Sequence, residues 1–307
     1  MSEKALLAVV GPTGIGKTAL GIQLAKHFNT EIVSADSRQF FKEMEIGTAV
    51  PSKEELEQAP HHFIQHKSIF EPYSVGDFEK EALFLLEDLF QKKDVVVMVG
   101  GSGLYVDAVI SGLDEFPEVD PEIRSKLNRR LEDEGLESLQ KELEQKDPEY
   151  YKSVDLENPH RLIRALEVCV ASGKPFSSFL DKPRAARPFK SFYIGIDAPR
   201  ETIYERINTR VDLMMEAGLL KEAENLYTNK DLNALQTVGY KELFEYIEGN
   251  CSLEFAISEI KKNTRRFAKR QLTWLRKNDA ILWVPYNAEP EEVLRMVTDR
   301  LKTNLYA

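Results

Sequence analysis

Apolar and polar positions change their period several times along the chain. Residues 5–10, ALLAVV, form an unbroken apolar run, which predicts a buried parallel strand. Residues 18–28, TALGIQLAKHF, place Leu20, Leu24 and Phe28 at helical spacing. TEIVSADS (30–37) predicts a second strand, and the stretch up to residue 66 reads as mixed loop and short helix. SVGDFEKEALFLLEDLFQKK (74–93) predicts an amphipathic helix, with Ser74 as cap and Asp77 three positions on. DVVVMVGGSGLY (94–105) predicts a third buried strand that ends in glycines. Strand and helix alternate, so the expected fold class is α/β with a parallel sheet.

Near residue 115 the pattern changes. Residues 119–181 are charged, helix-forming and nearly free of strand signal. Breaks fall at Gly135 and Pro148, and a further helix starts at Pro159 and closes at Gly173. KSFYIGIDAP (190–199) returns to strand, residues 200–227 to helix, and AILWVPY (280–286) is a late strand in a helical C-terminal region. The simplest organisation is an α/β core, 1–115 and 188–307, interrupted by a helical insertion domain at 116–187.

Between the first strand and the first helix lies GPTGIGKT (11–18), which fits G-x-x-x-x-G-K-[ST]. Gly11, Gly14 and Gly16 permit backbone angles that turn successive N–H groups inward onto an anion. The helix N-terminus adds partial positive charge. Lys17 supplies a full charge to an outer phosphate, and the Thr18 hydroxyl is the expected Mg2+ ligand.

Charge alters the picture of the partner. The net charge is −10, which taken alone disfavours nucleic acid. Residues 261–277, KKNTRRFAKRQLTWLRK, hold eight Lys and Arg and no acid, so the remainder carries −10 − 8 = −18. On a helix, Ile260, Phe267 and Trp274 share a stripe, while Lys262, Arg266, Lys269, Arg270 and Lys277 fall elsewhere. A purely basic run in an acidic protein favours a polyanion partner over a merely solvated face. The two cysteines have no metal or disulfide spacing, and Cys169 sits in an apolar helical stretch as a core residue. A reducing cytoplasm is the expected compartment. No run is long enough to span a bilayer, so no membrane association is expected.

Ligands of open parallel sheets gather at the carboxyl ends of the strands. Three such ends carry unusual residues: GPTGIGKT, ADSRQ and GGSGLY. A nucleotide hydrolase places an Asp at the end of a buried strand. Here VVVMV ends in Gly100 and Gly101, and Asp94 lies at its other end. The two glycines with Ser102 suggest a second anion-binding turn. Position alone leaves Asp36 open between a turn cap and a catalytic acid. His61, His62 and His66 lack the flanking ligands that a metal site would want.

The motifs GPTGIGKT, SADSRQ, IGTA, PHH, GGSGLY, NPHRLIRALEV, TVGYKEL and NTRRFAKRQLTWLR, in this order, closely resemble those of the tRNA dimethylallyltransferases, bacterial type. The resemblance implies a P-loop NTPase-like core and transfer of a dimethylallyl group from dimethylallyl diphosphate to N6 of the adenosine 3′ to the anticodon. It implies Asp36 as general base, with Lys17 and Arg210 offsetting charge on the leaving diphosphate. Gly11, Pro12, Thr13, Gly14, Ile15, Gly16, Lys17, Thr18 and Ser102 would hold the diphosphate, with Mg2+ on Thr18. Asp36, Ser37, Arg38, Gln39, Ser102, Arg124, Pro159, His160 and Arg161 would meet tRNA, joined by Arg266, Lys269 and Arg270 of the basic run. Ser102 stands where the family usually has Thr, Phe41 where Tyr is common and Val50 where Lys is common. A monomer is expected. The alternatives are an ATP-dependent small-molecule kinase and a nucleotide-gated RNA-binding protein.

Overall fold

The structure, a computed structural model, describes residues 3–180 and 186–305. The chain divides into two compact units, Met1–Ser111 with Arg187–Ala307, and Gly112–Ala186. Residues 181–185, inside the expected insertion, lie outside the described residues.

The larger unit opens with β1 (Ala5–Val10), α1 (Lys17–His27), β2 (Ile32–Ser34), α2 (Lys53–Leu56) and β3 (His61–His62). It continues with α3 (Val75–Lys92), β4 (Val95–Val99) and α4 (Gly103–Ser111). The second unit holds α5 (Pro121–Glu134), α6 (Leu136–Lys146), α7 (Pro148–Tyr151) and α8 (Pro159–Ser172). The larger unit resumes with β5 (Lys190–Asp197), α9 (Arg200–Glu216), α10 (Leu219–Leu226) and α11 (Tyr240–Ile247). It ends with α12 (Leu253–Leu275), β6 (Leu282–Pro285) and α13 (Pro290–Leu305).

The six strands form a parallel sheet in the order β3-β2-β4-β1-β5-β6. Two adjustments to the expected elements have local causes. β3 lies in a stretch read as loop and helix; at two residues it is too short for periodicity to register. The third strand stops at Val99 rather than running to residue 105, because Gly103 already starts α4.

β1 shows how the sheet is covered. Ala5, Leu7 and Val9 join one core, while Leu6, Ala8 and Val10 join the core on the opposite face. Period-two alternation with apolar partners on both sides gives the unbroken apolar run of a doubly covered parallel strand. α3 is capped as its sequence implies: the Ser74 hydroxyl accepts the Asp77 N–H at 3.2 Å, and Asp77 accepts the Ser74 N–H at 2.9 Å. A separate core beside the sheet joins α9 to α12, with Met44, Leu235 and Tyr240 fully enclosed.

Within the smaller unit, α5, α6 and α8 pack around Leu139, Leu143, Leu162 and Leu166. Buried Glu167 holds Arg124 through two hydrogen bonds, 2.6 and 2.9 Å, and Arg164 through a third. Burying that carboxylate is tolerable because two guanidiniums satisfy it. Gly135 and Gly173, both at positive φ, separate the helices at the expected breaks.

Candidate active site

Strand register sets the site. Val99 of β4 pairs with Val9 of β1 on one side and Ser34 of β2 on the other. The three chains therefore leave the sheet level with one another. The glycine-rich loop, Asp36 and the Gly100–Ser102 turn emerge at a single carboxyl edge.

The loop is built as its sequence implies. Gly16 caps α1 at φ 110°, in the left-handed region that costs a side-chain-bearing residue. Ile15 points the other way, into the core at 2% exposure. The Lys17 ammonium donates to the Pro12 carbonyl at 2.9 Å. Burial pulls the Lys17 pKa down to about 8; the Asp36 carboxylate pulls it up and Arg210 pulls it down further. Burial also draws Arg210 below its ordinary range, with Glu55 and Asp36 opposing. Arg206, one helical turn before Arg210, donates to the Ile15 carbonyl at 2.8 Å, so α9 sets a second guanidinium against the loop.

Opposite the loop, Asp36 Oδ1 accepts the Arg38 N–H at 3.1 Å. The residue is therefore both a turn cap and a wall of the cleft. Ser37 and Ser102 hydroxyls lie 3.1 Å apart, and the Ser37 N–H donates to Ser102 Oγ at 3.3 Å. Arg38 donates to the carbonyls of Asn233 and Ala234, and Gln39 to those of Thr48 and Ala49. The cleft between these groups has a volume of about 460 Å3. Its further walls include Met214, Leu219, Val238, Phe267 and Trp274. A charged end and an apolar wall suit a ligand with an anionic head and a hydrocarbon tail.

The glycines of GGSG are also required by packing, whatever the turn binds. A Cβ on Gly100 would sit 2.5 Å from the Ala35 carbonyl oxygen, and one on Gly103 would sit 2.6 Å from the Trp274 ring. Close packing against neighbouring elements accounts for both. Asp94 lies at the far end of β4, paired with Lys4 at 2.8 Å. Among the described residues no group of three His, Cys, Asp or Glu could hold a metal ion. His62 pairs with Glu31, and His66 sits edge-on to Phe40, Phe63 and Tyr73.

A family profile described as IPP transferase matches residues 39–278. The tRNA dimethylallyltransferase of Christiangramia forsetii is 60% identical over 298 residues, covering 97% of this chain and 99% of its own. The chain belongs to the tRNA dimethylallyltransferase family. That of Flavobacterium johnsoniae is 58% identical, with 98% and 100% covered. The full-length tRNA isopentenylpyrophosphate transferase of Bacillus halodurans superposes with a TM-score of 0.73 at 36% identity, over 99% of this chain and 97% of that one. A eukaryotic dimethylallyltransferase solved acting on tRNA shares the fold, with a TM-score of 0.82 at 24% identity over 98% of this chain and 80% of that one. This tRNA dimethylallyltransferase family member is thus a prenyltransferase of tRNA modification, built on a P-loop NTPase-like α/β core.

Of the family-type residues, Thr13, Asp36, Ser37, Arg38, Ser102, Arg210 and Arg270 line one cleft. Arg266, Lys269 and Arg270 border a shallower groove with Thr273, Trp274 and Lys277. Pro159, His160 and Arg161 form the first turn of α8 in the other unit, where Asn158 caps the Arg161 N–H at 3.3 Å. Arg124 is held by Glu167 in that unit. Sequence reasoning passed over Gln271, Arg206 and Glu222. Only Gln271 lies in one of the quoted motifs; Arg206 and Glu222 belong to the helical stretch at 200–227, and each of the three reaches backbone atoms remote in sequence, which no local spacing reports.

Proposed function

We propose that the chain transfers a dimethylallyl group from dimethylallyl diphosphate to N6 of the adenosine 3′ to the anticodon of tRNA. The observation that carries this reading is Asp36 facing the anion loop across a cleft with largely apolar walls. Negative charge develops on the departing diphosphate oxygen, where Lys17, Arg210 and the amides of the loop stabilise it. Gly11, Pro12, Gly14, Ile15, Gly16 and Thr18 shape that cradle, and Ser102 closes it. The adenine N6 attacks the allylic carbon as the C–O bond breaks, and Asp36 takes the proton that N6 loses.

Mg2+ is the divalent ion we assign. The donor set fits it: a lone hydroxyl from Thr18 leaves room for phosphate oxygens and water, which Mg2+ prefers to a protein cage. Bound there, it would supply charge stabilisation to the leaving diphosphate. The adenosine must leave its stack to reach Asp36, and a single-stranded loop lowers that cost. We assign Ser37, Arg38, Gln39 and the basic face of α12 to contacts with the RNA, and Arg124 and the Pro159–Arg161 turn to those of the helical insertion. We assign a monomer acting in the cytoplasm, and no helix of the described residues is long and apolar enough to cross a membrane.

The test is incubation with unmodified tRNA, Mg2+ and dimethylallyl diphosphate, followed by mass analysis of the nucleosides. The expected result is one prenylated adenosine per susceptible tRNA, with diphosphate released. Phosphate release from ATP without any prenylated adenosine would reverse the reading in favour of a kinase or ATPase.

A further inference from the structure

Gln271 leaves α12 and runs between the two glycine turns of the site, with 8% of its surface exposed. Its Oε1 accepts the Thr13 N–H of the phosphate loop at 2.9 Å. Its Nε2 donates to the Gly101 carbonyl at 2.8 Å. The partners fix the amide's orientation, since an N–H can meet only an acceptor and a carbonyl only a donor. Gly101 makes room for the contact: a Cβ there would lie 2.5 Å from Gln271 Nε2 and 3.4 Å from Lys17 Nζ. The turn that Gln271 grips carries Ser102, which is hydrogen-bonded to Ser37, the neighbour of Asp36.

We propose that Gln271 is a positioning residue: it sets the spacing between the diphosphate-binding loop and the turn that supports the acceptor-side residues Ser37 and Asp36. The proposal rests on the reaction assigned above. Its consequence is kinetic. Donor and acceptor are brought into line by two separate loops, and one side chain bridges them. Loss of the bridge loosens the diphosphate loop and displaces the reacting atoms while removing no contact to tRNA, so kcat falls with little change in the KM for tRNA.

Two variants test this. Gln271→Leu keeps the bulk and removes both hydrogen bonds; kcat should fall by about 10²-fold, the usual effect of a misplacement near 1 Å. Gln271→Glu keeps the acceptor, but its ionised form has no donor for the Gly101 carbonyl. Protonated Glu has both. The charged groups bordering this position are Lys17 from α1, Asp36 and Arg38 after β2, Arg210 from α9 and Arg270 from α12. The cations favour the ionised form of the variant's carboxylate and Asp36 opposes it, so the ratio of Gln271→Glu to wild-type kcat should rise at the acid end of the pH range, below the Lys17 transition.

A third measurement, calorimetric binding of inorganic diphosphate with Mg2+ in the absence of tRNA, does not depend on prenyl transfer. Weaker binding by Gln271→Leu, and recovery by Gln271→Glu at low pH, are expected. If the wild type binds diphosphate but prenylates nothing, the functional reading fails while this arm still decides the role of Gln271. A Gln271→Leu enzyme that binds and turns over like wild type would overturn the proposal. So would a Gln271→Glu ratio flat in pH with activity lost only in step with melting temperature, since that marks a role in folding alone.

Discussion

The Trp274 indole N–H donates to one oxygen of Asp107 at 2.9 Å, while the Tyr193 hydroxyl donates to the other at 2.9 Å. A carboxylate on α4 thereby holds an aromatic ring of α12 at the wall shared by the cleft and the basic groove. Trp274 is 48% exposed; its ring rests on Gly103 along one edge, and Asp107 fixes its orientation. Burial and Asp107 both push the Tyr193 phenol up, which keeps it a donor across the neutral range. Asp107→Ala should raise the KM for tRNA more than that for the donor and lower stability by about 1–2 kcal/mol. Steady-state kinetics with each substrate varied, beside thermal melts, provide the check; equal effects on both KM values would sink the assignment.

Two separate motifs, IGTA and TVGYKEL, meet at one carboxylate. Glu222 accepts the N–H groups of Glu45, Ile46 and Gly47 at 3.1, 2.8 and 2.9 Å, and the Tyr240 hydroxyl at 2.6 Å. Tyr240 lies so close to Gly47 that a Cβ there would come within 2.6 Å of its ring. Gly47, Thr48 and Ala49 line the cleft, so this anchor shapes the ligand's surroundings. Gly47→Ala should push Tyr240 or the loop aside and destabilise the protein by about 1–3 kcal/mol. Tyr240→Leu removes the ring that the added methyl would meet, so the double variant should lose less stability in denaturant melts than the sum of the two single losses. Full additivity of the two losses would count against the contact.

Much of the fold is written in local patterns. ALLAVV, the Ser74–Asp77 cap and the Pro159–Gly173 limits each depend on residues within a few positions, which is the range over which periodicity and capping act. The phosphate loop is legible for the same reason. The reasons for the other glycines are not. GGSG reads as an anion turn, and nothing local reports that Ala35 and Trp274, distant in sequence, also occupy the space of the missing side chains. The basic run shows the same limit. Its eight cations look equivalent in sequence, yet Lys261 pairs with Asp212, Lys262 with Glu259 and Arg276 with Asp197, while Arg265 bonds Asn208. The stripe of Ile260, Phe267 and Trp274 likewise divides, with Ile260 buried and both aromatics exposed on the cleft wall.

Asp36 gives up one hydrogen-bonding direction to the Arg38 amide, which fixes the carboxylate without removing it from the cleft. Asp36→Asn keeps that hydrogen bond and the side chain's shape. It should leave donor and tRNA binding near normal and cut single-turnover transfer by about 10²- to 10⁴-fold, the usual contribution of a general base. Near-normal transfer would leave Asp36 as a turn cap only.

Lys17 makes the site sensitive to alkali. Its pKa lies near 8 rather than 10.5 because burial disfavours the ammonium. In the unliganded protein the unfolded chain holds this proton more tightly between those two values, so stability should rise with pH across that window. Donor binding runs the other way. A diphosphate needs the ammonium, so kcat/KM for the donor should fall as pH rises through about 8. Lys17→Arg keeps the charge well above that pH, and should lose the alkaline limb even if its activity is lower. An unchanged limb in Lys17→Arg would assign the titration to another group.

Among the described residues, no ion pair engages Arg266, Lys269, Arg270 or Lys277, the cations of the shallow groove on α12. Unpaired cations on one helix face can release counterions from RNA phosphates; cations already bound to carboxylates contribute far less. Each phosphate neutralised adds about −0.7 to −0.9 to the slope of log K against log salt. Changing Arg266, Lys269 and Arg270 together to Ala should therefore flatten the slope for tRNA by about two units. The paired residues Lys261 and Lys262 serve as the internal control, since their replacement should change the slope little. Filter binding of tRNA across a salt series separates the two sets. If the control pair lowered the slope as much as the groove triple, the determinant would be the summed charge of the helix and not this face, and the insertion's own basic residues would be the next place to look.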